Sequence, residues 1–293
     1  MTSRSSHRPA TSLHSRRWGE NRYVYPVISR RSKGLSIGVN LNPSGQCNFN
    51  CLYCQVSRKA KPAPDKIDLG VLETELRWTV QEALGSRLWT RRHFATTPPE
   101  MRRLNDIAFS GDGEPTCVAG FDRAVETAAK VKGELGLDRV KLVVITNASM
   151  MDRQPFQRAL PILDAHNGEI WAKLDAGTEE SFAKINRPHS GTTLGGILDN
   201  IIAVARGRPV VIQTLLSRVD GSSPSPREIA AYCDRLREIL QAGGKIKLVQ
   251  LHTIARPPQS EAVEPLSNAE LDAVASIVRR AVPGLPLETY YGT

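Results

Sequence analysis

The stretch Ser36-Ile37-Gly38-Val39-Asn40-Leu41-Asn42-Pro43-Ser44-Gly45-Gln46-Cys47-Asn48-Phe49-Asn50-Cys51-Leu52-Tyr53-Cys54 decides how the rest of the chain is read. Its first six residues have the composition of a strand, and the strand runs straight into a loop carrying three cysteines. Thiols spaced C-x3-C-x2-C can hold three corners of a cubane iron–sulfur cluster and leave the fourth iron without a protein ligand. An open iron can bind a cofactor or a substrate, so the spacing argues for chemistry at the cluster rather than electron storage. The alternative is a structural zinc site, which is closed by four ligands and usually pairs two short Cys/His spacings. No Cys or His lies within ten residues on either side of the trio to complete one. Cys117 and Cys233 are the remaining cysteines, read as small buried hydrophobes. Three of five thiols in one loop suit a reducing, cytoplasmic setting better than a disulfide framework.

Outward from this loop, short apolar runs alternate with helical patterns. Strands are expected at 36–41, 106–109, 140–146, 169–175, 209–215 and 245–252. Helices are expected at about 69–88, 121–135, 152–165, 178–185, 193–206 and 226–241, with a last one at 269–281 capped by Asn268. Six strands separated by helices predict one α/β domain, a partial (β/α)6 barrel with parallel strands. The barrel is assigned to residues 35–260. Residues 261–293 would be a C-terminal helix and tail packing on it, with Leu285 to Thr293 returning as a short strand or a plug. No apolar run approaches the ~18 residues of a membrane span.

The net charge of +9 is unevenly placed. Residues 1–34 hold eight basic side chains against Glu20 alone, so the remainder is nearly neutral. This segment is read as a basic lead-in, disordered over 1–17, where Ser, Thr, Arg and His show no apolar period. A second basic cluster, Arg87, Arg91, Arg92, His93, Arg102 and Arg103 around Trp89 and Phe94, could track phosphates and stack bases. The commoner explanation is a solvated face anchored by two aromatics.

In a parallel β/α barrel, ligands meet residues at the carboxyl ends of the strands. The cysteine loop, Gly111-Asp112-Gly113-Glu114-Pro115, Thr146-Asn147 and the pair Lys173/Asp175 all fall there. Glycines in such a turn let backbone approach a ligand closely. Alternation puts Lys173 and Asp175 on one strand face; inside a barrel the ammonium would pair with Asp175 or with a ligand carboxylate.

The three cysteines, with Phe49 two residues after the first and Tyr53 just before the last, followed by the Gly-Glu-Pro turn, resemble the radical S-adenosylmethionine (SAM) enzymes. The resemblance covers roughly residues 34–255. It implies a [4Fe-4S] cluster on Cys47, Cys51 and Cys54, and SAM bound through its methionyl amino and carboxylate groups to the fourth iron. It implies SAM contacts from the turn at Gly111, Asp112, Gly113, Glu114 and Pro115. Thr146, Asn147 and Gln213 fall where the family places ribose and methionine contacts. His252 would contact adenine or substrate, and Lys173 and Asp175 would serve the reaction. The family's usual turn begins Gly-Gly; Asp112 stands at a Gly position here, matching the rarer Gly-x-Gly-Glu-Pro form. The resemblance also implies reduction by a flavodoxin- or ferredoxin-type donor. Residues 38–43 (GVNLNP), 109–116 (FSGDGEPT), 173–178 (KLDAGT) and 185–188 (INRP) look like the branch related to wyosine-forming tRNA enzymes. The tRNA enzyme of that branch has a second cluster on three further cysteines, and two spare cysteines cannot build one. The substrate is expected to be a small metabolite or peptide, its carboxylate held by Lys173 or by Arg187 with His189 nearby; tRNA is the alternative. A non-catalytic nucleic-acid binder is a remote third.

Overall fold

The computed structural model describes residues 18–57, 66–189 and 191–292. The expected disorder of 1–17 lies outside the described residues. Ten strands are seen among them: β1 (Val24–Ser29), β2 (Gly34–Val39), β3 (Leu104–Phe109), β4 (Lys141–Thr146), β5 (Gly168–Lys173), β6 (Val210–Leu215), β7 (Ser217–Val219), β8 (Ile246–His252), β9 (Val263–Pro265) and β10 (Leu287–Tyr290). The helices are α1 (Leu69–Leu84), α2 (Arg87–Thr90), α3 (Phe121–Glu134), α4 (Gln154–Ala165), α5 (Glu179–Ile185), α6 (Leu194–Gly207), α7 (Pro226–Gln241) and α8 (Asn268–Ala281).

One curled sheet runs β1-β2-β3-β4-β5-β6-β8-β10, and β7 pairs β9 in a separate two-stranded ribbon. The expected six strands are β2 to β6 and β8, each parallel to the next. Two edge strands extend this core. β10 adds parallel to β8, so the tail returns as a strand. β1 pairs antiparallel with β2 through a tight turn, inside the segment read as a lead-in. Among the described residues no ladder joins β1 to β10, so the barrel is open along a seam. There Lys33 Nζ meets Glu288 Oε1 at 2.8 Å, and Arg30 Nη1 donates to the Tyr291 carbonyl.

Local chemistry sets the element ends. Gly85 stops α1 at Leu84, short of the expected 88, and α2 follows as a separate turn. The cap of α8 is Ser267, one residue before Asn268: its Oγ accepts from Glu270 N–H while the Glu270 carboxylate accepts from the Ser267 N–H and hydroxyl. That reciprocal box satisfies two helix-end donors at once. Alternation sorts the strand side chains into two layers. Ile107, Phe109, Leu142, Val144, Ile170, Ala172, Val210 and Ile212 join the large core beneath the helices, whereas Ala108, Val143, Trp171 and Val211 form a small cluster inside the barrel.

Candidate active site

The inward register continues past the apolar cluster into polar side chains. Tyr25, Val27, Ser29 and Arg31 alternate from β1 into the turn that follows it; Ser36, Asp106, Trp171 with Lys173, Gln213 and His252 project from β2, β3, β5, β6 and β8. Together with the cysteine loop they line a cavity of about 290 Å³. Of the residues singled out from the sequence, Cys47, Phe49, Cys51, Tyr53, Cys54, Gly111, Gly113, Glu114, Thr146, Asn147, Lys173, Gln213 and His252 all face it. Asp112, Pro115 and Asp175 do not, and their positions explain why.

The cysteine loop is held as an extended segment against residues 185–189. Asn50 and Leu52 N–H groups donate to the Arg187 and Ile185 carbonyls at 3.0 and 2.8 Å, and His189 N–H donates to Asn48 O at 3.0 Å. Phe49 is buried edge-on against Phe182, centroids 5.7 Å apart. Asn48 Nδ2 donates to Ser149 Oγ at 2.7 Å and Asn48 Oδ1 accepts from Asn147 Nδ2 at 2.8 Å, tying the loop to the end of β4. Sulfur acceptors are supplied with N–H donors: Val56 N–H to Cys54 Sγ at 3.4 Å and Asn186 Nδ2 to Cys51 Sγ at 3.8 Å. Burial pushes the Cys51 thiol up to about 12, so without a metal it stays protonated.

This donor set fits the cluster that the spacing implies. Three thiols face one cavity, N–H groups point at two of the sulfurs, and among the described residues the buried Asn42 Nδ2 and Asn186 Oδ1 have no hydrogen-bond partner. Among the described residues no three Cys, His, Asp or Glu side chains converge on a single-ion site. A cubane needs no such convergence, because each thiolate binds a different iron.

Close packing accounts for the glycine turn. A Cβ on Gly113 would overlap the Gln46 carbonyl, and one on Gly111 would overlap Asn40 Oδ1. Asp112 turns away from the cavity: Asn40 Nδ2 donates to its Oδ2 at 2.7 Å, and its N–H donates to Asn40 Oδ1 at 3.1 Å. The residue that departs from the common turn is thus a clamp onto the end of β2. Pro115 starts a buried single-turn 3-10 helix, Pro115–Cys117, capped by Glu114. The Glu114 carboxylate is saturated by protein: Thr116 N–H and Oγ1 and Thr146 Oγ1 donate to Oε1, and Asn147 N–H donates to Oε2 at 2.7 Å. Desolvation raises its pKa against these donors. Glu114 therefore locks the turn to the end of β4, leaving backbone exposed to the cavity.

Asp175 lies beneath the cavity, fully buried. Its Oδ1 accepts from Lys173 Nζ at 3.2 Å and Leu215 N–H at 2.8 Å; its Oδ2 accepts from Asn186 Nδ2 at 2.9 Å and from the Tyr53 hydroxyl. Lys173 alone of the pair reaches the cavity, its Nζ 5.1 Å from the Tyr53 ring centroid. One buried carboxylate thus joins β5, β6, the cysteine loop and the loop after α5.

His252 is held well below its ordinary pKa by burial, then by Arg31 and Lys173, and so is neutral at pH 7. Gln213 Nε2 donates to Gln250 Oε1 at 3.0 Å inside the barrel. Arg187 and His189 are exposed and their backbone, not their side chains, supports the loop. Several arginines of the second basic cluster are paired with neighbouring side chains. Arg87 and Arg91 pair with Glu82, Arg91 also covers Trp18, Arg102 covers Trp89, and Trp89 packs on Phe94. Phe94 is buried and Trp89 half-buried, so little aromatic surface is left for bases. Cys233 is buried in the core and Cys117 half-buried with its thiol pKa raised by burial. Sequence reasoning missed Tyr25, Arg31, Ser36, Asp106 and Asn186; the signal for the first two was the period-two run 25, 27, 29, 31 before the first assigned strand.

No protein-family model matches the chain. It is 30% identical over 250 residues to a UPF0026 protein of Helicobacter pylori, covering 84% of this chain and 70% of that protein. A UPF0026 protein of Methanocaldococcus jannaschii is 24% identical over 82% of this chain and 65% of its own length. Among solved structures, a radical SAM methyltransferase from Sphaerobacter thermophilus matches with a TM-score of 0.62 at 16% identity, over 92% of this chain and 69% of that one. Streptococcus suis SuiB bound to S-adenosylmethionine gives 0.58 at 12% identity, over 89% and 52%. TYW1 with a lysine–pyruvate adduct gives 0.55 at 15% identity, over 85% and 74%. At such identities the likeness is one of fold.

Proposed function

The chain belongs to the UPF0026 family and has the radical SAM fold, and from that premise we propose that it is a radical SAM enzyme acting on a small metabolite or peptide. The observation that carries the reading is that Cys47, Cys51 and Cys54 face the same cavity as Gly111, Gly113, Lys173 and Gln213. When bound and given an electron by a flavodoxin- or ferredoxin-type donor, the [4Fe-4S] cluster would supply reductive cleavage of SAM to methionine and a 5′-deoxyadenosyl radical that takes hydrogen from the substrate.

The chain's own residues would do the rest. Cys47, Cys51 and Cys54 would hold the cluster, with Asn186 Nδ2 donating to the Cys51 sulfur and the Val56 N–H to the Cys54 sulfur. The Gly111–Glu114 turn offers backbone to the SAM amino group, held in place by Glu114 and Asp112. Thr146, Asn147 and Gln213 border the site for the rest of SAM, and Asp175 positions Lys173 and Tyr53. Lys173, a cation desolvated on one side, would take a carboxylate. Neutral His252 would offer one ring nitrogen as donor and one as acceptor.

After anaerobic reconstitution and reduction, the wild type should form 5′-deoxyadenosine from SAM, and Cys51→Ala should form none. Wild-type rates in Cys51→Ala would sink the assignment. The alternative reading is a tRNA-modifying enzyme, favoured by the basic segment before β1. It predicts tRNA binding that weakens steeply with salt and with removal of residues 1–17. The internal use of Arg87, Arg91 and Arg102 speaks against it.

A further inference from the structure

Arg30, Arg31 and Arg256 line a side pocket that opens off the main cavity at the seam between β1 and β10, with no Asp or Glu among its described lining residues. Tyr53, Gln55 and His252 complete the shared wall, whereas the Gly111–Glu114 turn and the end of β4 take no part in it. The pocket is therefore contiguous with the site yet separate from the backbone that would hold SAM.

Arg30 and Arg31 meet no carboxylate among the pocket's described lining residues. Arg30 donates to a neutral acceptor, the Tyr291 carbonyl. Among the described residues no hydrogen bond or ion pair reaches the Arg31 guanidinium, and the nearby Asp106 is engaged by Ser36 Oγ. Burial first, and then Arg30, bring Arg31 down to about 10 against the opposing pull of Tyr290 and Asp106, so the two half-buried guanidinium groups repel. An oxyanion entering between them relieves both the repulsion and the lost hydration, and a guanidinium presents the fork that a carboxylate or phosphate accepts two bonds from.

Building on the radical SAM reading above, we propose that this arginine-lined pocket is the anion subsite for the substrate, taking a carboxylate or phosphate group while the carbon to be attacked lies in the main cavity. Lys173 is then left to the SAM carboxylate rather than to the substrate's anionic end. The open seam gives this subsite its place: side chains, not a ladder, fill the gap between β1 and β10.

The test is calorimetric titration of the cluster-reconstituted protein with inorganic phosphate and with malonate at constant ionic strength. Wild type should bind at least one of them saturably at one site, and the stronger of the two identifies a tetrahedral or planar group. Arg31→Gln and Arg256→Gln should each weaken binding about tenfold or more, and Arg187→Gln, at an exposed position, should change it less than about twofold. Arg31→Lys covers the case in which Arg31→Gln fails to fold: keeping the charge but losing the fork, it should bind at least about threefold more weakly. No saturable wild-type binding, equal loss in Arg187→Gln, or wild-type affinity in Arg31→Lys would overturn the proposal. The SAM-induced change in the reduced cluster's electron paramagnetic resonance spectrum is recorded on the same samples. A SAM response without anion binding defeats the subsite and leaves the radical SAM reading intact. Arginine-dependent anion binding without a SAM response supports an anion site and defeats that reading.

Discussion

At the scale of single residues, the site depends on atoms that are absent as much as on those present. The Gly113 Cα sits against the Gln46 carbonyl in the cysteine loop, so Gly113→Ala must push that loop aside. We expect Gly113→Ala to retain less than about half the wild-type iron after reconstitution, with unchanged far-UV circular dichroism. Gly133, in α3 with nothing near its missing Cβ, is the matched control, and Gly133→Ala should keep full iron. Asp106 offers a pH test. Burial raises its carboxyl from 3.8 to about 6, despite the Ser36 hydroxyl that donates to it. The native state then binds more protons than the unfolded chain between those values, so stability is lost as pH rises through that window and the full penalty remains above it. Asp106→Asn should therefore gain roughly 1–3 kcal/mol at pH 7.5 and almost nothing near pH 4, read from urea midpoints. A gain independent of pH would refute the assignment. Both residues were within reach of the sequence to different degrees. Gly113 is marked by its motif, whereas Asp106 reads as the polar start of an apolar run.

At the scale of elements, caps and stops decide where strands deliver their side chains. Ser267 and Glu270 close the first turn of α8, and Glu270 also accepts from Arg218 and Ser223 beside the β7–β9 ribbon. Ser267→Ala removes a reciprocal cap and should cost about 1 kcal/mol in a denaturant titration. Glu270 is held down to about 2, chiefly by the Ser223 hydroxyl and then by the Ser267 N–H and hydroxyl. Its contribution is complete above the ordinary carboxylate range and fades only as pH falls through the folded value. Element type was legible because six parallel strands buried on both faces leave strong apolar runs. β1 was not, since Arg30 and Arg31 follow it directly and a basic segment masks a short edge strand. Nor was the end of β5: the Asp175 carboxylate takes the Leu215 N–H, which replaces the next ladder bond with a side-chain one.

At the scale of the whole molecule, the barrel's incompleteness is what makes room for chemistry. An open seam between β1 and β10 admits arginines from the turn after β1 to the same interior that the cysteine loop faces from the strand ends. Among the described residues no helix is long and apolar enough to cross a membrane. Part of the basic charge of residues 18–34 is used within the fold. Arg22 lies over the Tyr23 ring, Lys33 bridges the seam, and Arg30 and Arg31 enter the pocket. By itself the sequence determined the cysteine spacing, the Gly-Glu-Pro turn and the parallel α/β layering, because both motifs are local in spacing and strand burial is local in period. Only the tertiary structure decided which polar residues are tools and which are struts. Glu114, Asp112 and Asp175 look alike in the sequence as candidate ligands. Each spends its carboxylate on partners 32 to 122 residues away, as well as on nearer neighbours, and the distant contacts are ones that no local pattern encodes. Arg31 is the converse, a residue of an apparently idle basic segment that long-range strand pairing carries into the heart of the barrel.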